Sequence, residues 1–369
     1  MSGGIDSSVA AVMLHEQGYE VIGMTMKTWD YQTSGGNNKK ETGCCSLDSI
    51  NDARNIAVNL GFPHYILDIR NEFGDYVIDH FTDEYLAGRT PNPCVLCNTH
   101  IKWDALLRRA DKLGCDYIAT GHYAQLRQEN GRYVISKGLD EHKDQSYALW
   151  GVSQQSLSRT LFPLGQIHKS DIRAFALERG FTELVNKSES YEICFVPDND
   201  YRGFLKRRVE GLEESVKGGR FVLEDGTDVG PHEGYPFYTV GQRKGLGVAL
   251  GYPVYVTEIR KDKNQVVLGT FDELARDGMY VNKLVMSKYA DLTGKKLDTV
   301  TKVRYNDNGT PAVIEQAGDT MKVFFGKGVH AIAPGQAAVF YEGNDVIGGG
   351  WIHSSFHQHQ QSKAQTQLV

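Results

Sequence analysis

Apolar positions follow two different rhythms along this chain, and the rhythm changes near residue 203. In the first part, stretches with helical spacing of apolar residues alternate with short apolar runs that predict buried strands. The order strand, helix, strand, helix is typical of a parallel sheet covered by helices on both faces. The predicted helices cover 9–14, 47–60 and 99–113, and the predicted strands cover 20–26, 64–69 and 116–119.

Beyond residue 203 the chain consists of short β-type runs, such as 254–259, separated by Gly, Asp and Asn residues that favour turns. We therefore predict an α/β domain over 1–202, a small central β domain over 203–275 and a C-terminal β-barrel over 276–355. Inside the first domain, Asn130-Gly131 is flanked by alternating residues and predicts a β-hairpin.

The segment 356–369 is polar and low in complexity, which predicts a disordered tail; a metal site formed by its histidines is the alternative. No apolar run among the 369 residues is long enough to cross a bilayer, and no charged-then-apolar leader opens the chain. We expect a cytoplasmic protein with no membrane partner.

The net charge of −6 argues against a protein that coats nucleic acid indiscriminately, because such binding depends on many phosphate contacts. It is compatible with selective binding of a nucleic acid, since a local basic surface is enough. Tyr201–Arg208 interleaves aromatic and basic residues and predicts a phosphate-binding stripe with a stacking surface. A solvated basic helix face is the alternative interpretation.

Residues 2–8 read SGGIDSS and lead directly into the first predicted helix. Glycines let backbone N–H groups approach an anion, serines add donors, and a helix N-terminus contributes positive potential. Asp6 is expected to orient this loop or to hold Mg²⁺. The G-K-[ST] ending of a Walker A loop is missing, and a simple capped helix start is the alternative.

Six cysteines are too few for a secreted disulfide scaffold of this length, so clustered ones indicate chemistry. Two prolines precede Cys97, which we expect near a helix N-terminus, where a thiolate is stabilised. Cys194 follows a polar segment, 186–190, that we expect to be mobile and suited to collecting cargo from a partner. Two unrelated structural cysteines are the alternative. Cys44 and Cys45 are expected near the nucleotide site.

The string SGGIDSS resembles the PP-loop of ATP pyrophosphatases, which split ATP into AMP and pyrophosphate while adenylating a substrate. Taken with seven further motifs, it makes the chain similar to the tRNA-specific 2-thiouridylase family over about residues 1–350. These motifs are RTPNPCVLCN at 89–98, ATGHYA at 119–124, KDQSY at 143–147, FPLG at 162–165, ICF at 193–195, YTVGQRKGLG at 238–247 and KVRY at 302–305.

The resemblance implies a PP-loop adenylation domain followed by a small central β domain and a C-terminal β-barrel. It implies that ATP with Mg²⁺ is used, that tRNA is bound, and that a cysteine desulfurase or sulfur-relay protein donates sulfur. The implied catalytic residues are Cys97 and Cys194, of which Cys194 carries a persulfide. The implied ATP-binding residues are Ser2, Gly3, Gly4, Asp6, Ser7, Met26 and Gly121. The implied tRNA-binding residues are Asn92, Pro93, Cys94, His122, Lys143, Asp144, Gln145, Arg304, Tyr305 and Gln336.

The implied reaction converts the wobble uridine of tRNAs for Lys, Glu and Gln into 2-thiouridine. The uracil C2 oxygen is a poor leaving group, and adenylation makes it part of AMP, which leaves readily. Persulfide sulfur on Cys194 then replaces it, either directly or after Cys97 releases the sulfur as hydrosulfide. A disulfide between Cys97 and Cys194 remains for a reductant to open. Lys143 or another cation is expected to stabilise charge on the leaving phosphate.

Two features depart from the family pattern. Cys94 occupies a position where the family commonly has aspartate, so three thiolates (Cys94, Cys97 and Cys194) could instead hold a [4Fe–4S] cluster. A zinc site would usually require a fourth ligand. The PP-loop normally follows a buried strand, whereas here only Met1 precedes it, and we expect a misplaced start rather than a missing strand.

Two other functions compete with thiolation. A small-molecule amide ligase of the NAD or GMP synthetase type would also use a PP-loop, but it gives no role to paired cysteines or to C-terminal β domains. A non-catalytic tRNA-binding relative with a decayed adenylation site is the other, and the intact SGGIDS string argues against decay.

Overall fold

The protein is described by a computed structural model that covers residues 1–29, 46–187, 193–196 and 198–357. The expectations for Cys44 and Cys45, for the mobile segment beyond Lys187 and for the tail beyond residue 357 lie outside this range. The chain folds into two compact units. The first contains 1–79, 93–204 and 344–346, and the second contains 80–92, 205–343 and the residues from 347 onward.

Helices and strands alternate through the first part of the chain, as the apolar pattern predicts. The helices are α1 Ile5–Glu16, α2 Leu47–Leu60, α3 Arg70–Phe73, α4 Asp79–Leu86, α5 Pro93–Leu96, α6 Leu106–Lys112, α7 Gln154–Leu157, α8 Lys169–Glu178 and α9 Thr182–Val185. Two π-helical segments, Gly74–Ile78 and Cys97–Ala105, continue α3 into α4 and α5 into α6, and Ser146–Leu149 is a 3₁₀ turn. The strands are β1 Gly23–Lys27, β2 His64–Asp68, β3 Ile118–Ala119, β4 Ala124–Glu129, β5 Arg132–Lys137 and β6 Thr160–Leu161.

The parallel strands of the first unit form two separate pairs. β1 pairs with β2 from Gly23↔His64 to Lys27↔Asp68, and β3 pairs with β6. The predicted α/β class is confirmed, but the predicted cover on both faces is wrong for β2. Tyr65 is 49% exposed and Ile66 is 45% exposed, because β2 is an edge strand with one neighbour and an open side.

The hairpin predicted at Asn130-Gly131 is confirmed. β4 and β5 are antiparallel from Ala124↔Lys137 to Glu129↔Arg132. Asn130 and Gly131 have φ of 50° and 74°, the two positive values that a two-residue type I′ turn requires.

Helix α1 is the centre of the first unit's core. Val9 and Val12 are buried on it together with Leu164 and Ile172, and α8 packs alongside. The next helix, α2, begins at the predicted position because the Ser46 hydroxyl accepts a hydrogen bond from the Ser49 N–H at 3.2 Å, a side-chain cap. The two helices enclose the stretch that carries SGGIDSS.

The second unit is mainly β structure. Its helices are the second half of α10 Tyr201–Arg208, from Leu205 onward, and α11 Leu212–Ser215. Short 3₁₀ turns occupy Tyr235–Phe237, Lys261–Lys263 and Asp272–Leu274. The strands are β7 Arg220–Val222, β8 Asp228–Pro231, β9 Tyr255–Arg260, β10 Gln265–Gly269, β11 Ala275–Met286, β12 Lys296–Lys302, β13 Thr310–Ala317, β14 Thr320–His330, β15 Ala337–Glu342 and β16 Asp345–Phe356.

These strands build the two β structures that the sequence predicts. β8, β7, β10 and β9 form a four-stranded sheet in that order. The next six strands follow the order β11, β14, β13, β12, β15, β16, and β16 pairs again with β11, which closes a barrel. Its interior is apolar and includes Met279, Val281, Val323 and Phe340. Through the described parts of the chain, no helix combines the length and the apolarity needed to span a bilayer.

Candidate active site

The SGGIDSS loop carries hydrogen-bond donors at the start of a twelve-residue helix. The Ser2 N–H donates to Ser7 Oγ at 2.9 Å, and the Ser7 hydroxyl lies 3.3 Å from the Gly4 carbonyl oxygen. Ser8 is fully buried, and its hydroxyl has no hydrogen-bond partner within the described residues. An orphaned buried hydroxyl beside a helix N-terminus fits an anion such as a phosphate group.

Two glycines let neighbouring backbone press against this loop. A Cβ on Gly3, whose φ is +68°, would lie 2.2 Å from the Ser49 carbonyl oxygen on α2. A Cβ on Gly121 would lie 2.7 Å from the carbonyl carbon of Asp6 and 2.8 Å from the nitrogen of Ser7. The loop is therefore held between α2 and the turn at residues 120–122, and no larger residue fits at either contact.

Asp6 is the centre of a charged cluster. Lys169, which is 7% exposed, donates from Nζ to both carboxylate oxygens of Asp6, at 2.7 and 2.8 Å. The Tyr123 hydroxyl donates to Asp6 Oδ1 at 2.6 Å. Of the two roles predicted for Asp6, orienting the loop is the one that these contacts support.

A second lysine contacts the loop from α9's end. Lys187 Nζ donates to the Gly3 carbonyl oxygen at 3.2 Å and forms an ion pair with Asp52 on α2. The loop is thus bordered by two lysines, each paired with one carboxylate, so the charges next to it balance.

His122 connects the turn at residues 120–122 to the cysteine-bearing helix. Its Nδ1 lies 2.8 Å from Thr120 Oγ1, and its Nε2 lies 3.3 Å from Lys102 Nζ. Burial, followed by the Lys102 charge, lowers the pKa of His122 well below its usual value, so the ring is neutral. Because an ammonium group can only donate, Nε2 accepts and Nδ1–H donates to Thr120.

Cys94 and Cys97 lie on one continuous helical run. α5 begins at Pro93, a residue suited to the first helical position, and the π segment begins at Cys97. The expectation that Cys97 sits near a helix N-terminus is therefore wrong by one turn; Cys94 holds that place instead. Burial raises the pKa of the Cys94 thiol although part of the residue is exposed, and Lys102 opposes that effect.

Cys194 stands at the surface next to a buried anchor. Cys194 is exposed, whereas Phe195 is 1% exposed and packs edge-on against Phe73 and Phe204 with ring centroids 5.8 and 5.5 Å apart. All four described cysteines are thiols rather than disulfides. A reduced pair is the state expected before sulfur transfer, and the Cys97–Cys194 disulfide stays a prediction.

The predicted stacking stripe at Tyr201–Arg208 is wrong for Phe204, whereas Tyr201 is half-buried and its stacking role stays a prediction. Phe204 is 4% exposed and belongs to the packing around Phe195, so it offers no free face to a base. Lys206 forms ion pairs with Glu213 and Glu233, which neutralise much of its charge. One side of the helix is packed in the protein, and the exposed side carries Arg207 and Arg208.

The three thiols do not form a metal-ligand set. Over residues 1–29, 46–187, 193–196 and 198–357, no three His, Cys, Asp or Glu side chains are grouped as a metal ion would need. A [4Fe–4S] cluster on Cys94, Cys97 and Cys194 stays a prediction.

Residues 143–145 order their own loop. The Asp144 carboxylate accepts from the N–H groups of Gly138 and Ser146, both at 3.1 Å. Gln145 Oε1 accepts from the Tyr123 N–H at 3.0 Å. Lys143 is half-buried on the same loop. Their predicted contact with tRNA is not tested by these bonds.

The remaining predicted residues occupy several places. Arg304 and Tyr305 are exposed between β12 and β13, and Tyr305 is 46% exposed. Gln336 Nε2 donates to the Pro91 carbonyl oxygen at 2.9 Å, next to half-buried Asn92. Met26 is half-buried on β1. Arg304, Tyr305, Gln336 and Asn92 belong to the second unit, whereas the loop and the cysteines belong to the first.

Sequence reasoning missed several polar residues of this site. Tyr123 stands inside the quoted ATGHYA motif but was given no role, and Lys102 lies five residues after Cys97, so proximity was a usable signal for both. No signal in the sequence pointed to Lys169 or Lys187, because their partners Asp6 and Gly3 are 163 and 184 positions away.

Three family models match the chain in succession. The tRNA methyl transferase HUP domain model matches residues 1–198, the tRNA methyl transferase PRC-barrel domain model matches 202–270, and the aminomethyltransferase beta-barrel domain model matches 276–352. The fold and the family models thus define a HUP-domain protein with a PP-loop, followed by two β domains.

Curated relatives narrow this class. The chain is 80% identical to the tRNA-specific 2-thiouridylase MnmA of Amoebophilus asiaticus, over 97% of this chain and 95% of the relative. It is 78% identical to the protein of the same name from Cytophaga hutchinsonii, over 97% of both chains. The identity to the Salinibacter ruber protein is 58%, over 96% of this chain and 93% of the relative. The chain belongs to the tRNA-specific 2-thiouridylase family.

Proposed function

We propose that this chain catalyses the ATP-dependent 2-thiolation of the wobble uridine of tRNAs for Lys, Glu and Gln, with release of AMP and pyrophosphate. Membership of the 2-thiouridylase family supports the reaction class. The first unit supports it independently, because the phosphate loop, the half-buried Cys97 and the exposed Cys194 occur in the same unit.

One observation carries the proposal. The turn at residues 120–122 contacts both the phosphate loop and the helical run that carries Cys97. Gly121 packs directly on the backbone of Asp6 and Ser7. The next residue, His122, binds Lys102 on the helical run that carries Cys97. A substrate base activated at the loop would therefore lie close to the helical run that bears Cys97.

The proposed ATP-binding residues are Ser2, Gly3, Gly4, Asp6, Ser7, Met26 and Gly121, and ATP is used with Mg²⁺. The buried, partnerless Ser8 hydroxyl and the close glycine contacts support phosphate binding at this loop. ATP supplies the adenylyl group that turns the uracil C2 oxygen into a leaving group. The loop's task is to orient the phosphates for that transfer.

The proposed sulfur-transfer residues are Cys194 and Cys97. Terminal persulfide sulfur on Cys194 attacks C2, and AMP leaves with the former C2 oxygen. The Cys97 thiolate then attacks Cys194 Sγ, which releases the sulfur on C2 and forms a Cys97–Cys194 disulfide. An external reductant restores both thiols. The exposure of Cys194 on the anchored Phe195 segment supports loading by a second protein.

The proposed sulfur donor is a cysteine desulfurase or a sulfur-relay protein. The proposed location of the protein is the cytoplasm, where thiols stay reduced.

The proposed tRNA contacts are Asn92, Pro93, Cys94, His122, Lys143, Asp144, Gln145, Arg304, Tyr305 and Gln336. The reaction is written with a persulfide, and a [4Fe–4S] cluster held by Cys94, Cys97 and Cys194 is the alternative sulfur carrier. The proposed domains are 1–202, 203–275 and 276–355, a division that the three family-model matches support.

The test is to incubate the protein with unmodified glutamate tRNA, Mg-ATP and a persulfide source, and to quantify 2-thiouridine by mass spectrometry after digestion. Cys97→Ala and Cys194→Ala should reduce the product to background while tRNA-dependent exchange of pyrophosphate into ATP continues. Cys115→Ala, a change of a half-buried cysteine that is given no role, is the matched control and should retain product.

Two outcomes would contradict the proposal. ATP turnover without 2-thiouridine, even anaerobically with a reconstituted cluster, would favour an amide ligase. Neither turnover nor product, with tRNA still bound, would favour a non-catalytic tRNA-binding protein.

A further inference from the structure

Lys169 occupies an unusual position for a lysine. It is the first residue of α8, where the helix dipole disfavours a positive charge, and it is 7% exposed. Its own N–H is held by Asp140 Oδ2 at 3.0 Å, which fixes the backbone at the helix start. A buried ammonium group at such a place requires a compensating anion, and Asp6 supplies it.

Asp6 places a carboxylate on the loop that receives the triphosphate, and an uncompensated carboxylate repels the incoming phosphates. Lys169 cancels that charge and occupies both carboxylate oxygens. Tyr123 fixes the carboxylate's orientation through Oδ1, and the Lys169 ammonium lies 5.7 Å from the centre of the Tyr123 ring. The cluster therefore determines both the net charge and the orientation of Asp6 before nucleotide arrives.

We propose that Lys169 is a positioning residue for the phosphate loop, which neutralises Asp6 and competes with Mg²⁺ for its carboxylate. This inference rests on the proposed use of ATP. It predicts opposite effects on nucleotide affinity in the absence and in the presence of Mg²⁺ when Lys169 is removed. Without Lys169 the loop carries an uncompensated negative charge, so it binds Mg²⁺-free ATP less well. The same charge leaves the Asp6 oxygens open to a divalent cation, so Mg²⁺ restores nucleotide binding in the variant.

The test measures the equilibrium dissociation constant of a fluorescent ATP analogue, without tRNA or sulfur, in EDTA and across a Mg²⁺ titration. In Lys169→Met, affinity in EDTA should fall about tenfold or more, the change that 1.4 kcal/mol produces. Saturating Mg²⁺ should recover most of the loss, so the ratio of affinities with and without Mg²⁺ rises about tenfold. Lys169→Arg should keep a wild-type ratio.

Folding is controlled in two ways. Circular dichroism and thermal unfolding check each variant, and Asp6→Asn/Lys169→Met removes both charges in case the single change does not fold. The double variant should lose the Mg²⁺ sensitivity that Lys169→Met gains. Lys217→Met, which removes an exposed lysine paired with Glu214, should match the wild type.

An equal loss of affinity with and without Mg²⁺ in Lys169→Met would overturn the inference, because it indicates only a distorted loop. Unchanged affinity in both conditions would overturn it as well. Wild-type protein that binds no ATP analogue in either condition would instead overturn the proposed function, and this inference with it.

Discussion

At the scale of single residues, the candidate site depends on two glycines, which have no side chain, as much as on its polar side chains. Gly3 and Gly121 permit backbone contacts that any Cβ would obstruct, and these contacts hold the phosphate loop on two sides. Asp6 and His122 are then each oriented by a lysine from another part of the first unit. The positions of these polar groups are consequences of close backbone packing.

Gly121→Ala should test that dependence. The added methyl group would lie 2.7 Å from the Asp6 carbonyl carbon, and backbone there cannot yield without moving the loop. We expect nucleotide affinity to fall about tenfold or more, which corresponds to 1.4 kcal/mol or more. Equilibrium binding of a fluorescent ATP analogue measures it.

Gly326→Ala is the matched control, since a Cβ there meets nothing within 4 Å. Unchanged affinity in Gly121→Ala, in a protein that remains folded by circular dichroism, would mean that the turn does not support the loop.

At the scale of elements, a half-buried histidine packs against the four-stranded sheet of the second unit. His232 follows β8 and packs edge-on against Phe221 of β7, with ring centroids 5.1 Å apart. Its Nδ1 accepts a hydrogen bond from the Gly234 N–H at 3.0 Å, an interaction that protonation of Nδ1 would remove. Burial lowers the pKa of His232 to about 4.

The stability of this sheet should therefore depend on pH. Between about pH 6.5 and 4 the unfolded chain binds a proton at His232 that the folded chain does not, so the free energy of unfolding falls as pH falls through that range. The loss should reach about 3 kcal/mol at most, at 1.36 kcal/mol per pKa unit. Urea unfolding at several pH values measures it.

His232→Gln removes the titrating group and should flatten the dependence over that range. His142→Gln, a change at an exposed histidine, should leave the slope unchanged. Equal slopes for wild type and His232→Gln would show that other groups cause the pH dependence.

At the scale of the whole molecule, the first unit is assembled from distant parts of the chain. Residues 344–346 belong to it although more than a hundred residues of the second unit precede them. Arg127 on β4 binds both carboxylate oxygens of Asp345, at 2.7 and 2.8 Å, and Ser136 on β5 donates to the same carboxylate at 2.8 Å. This is a bidentate pair, the geometry in which arginine binds carboxylates most specifically.

A double-mutant cycle with Arg127→Met and Asp345→Asn should reveal coupling of about 1 kcal/mol in the free energy of unfolding. The value is limited because the arginine side chain is 44% exposed and solvent screens the pair. Urea denaturation of the four proteins measures it. A cycle on the exposed pair of Lys217 and Glu214 is the control, with coupling near zero, and the same result for Arg127 and Asp345 would contradict the expectation.

Local patterns in the sequence determined the elements. The apolar spacing over 47–60 predicts α2 to the residue, and Asn130-Gly131 predicts a hairpin turn that needs two positive φ values. The glycines and serines of residues 2–8 predict an anion loop at a helix start, and the family motifs identify Cys97 and Cys194. Such signals are readable because the physics behind them acts over a few neighbouring residues.

Only the tertiary structure decided which distant groups meet. Lys169 reaches Asp6 across 163 positions, Phe204 is buried against Phe195 instead of facing a base, and Cys97 lies one turn beyond the helix start. A side chain's partner and its burial depend on how elements pack, and packing depends on the whole chain at once. For that reason the sequence identified the reaction, and the fold identified the charges that prepare the phosphate loop.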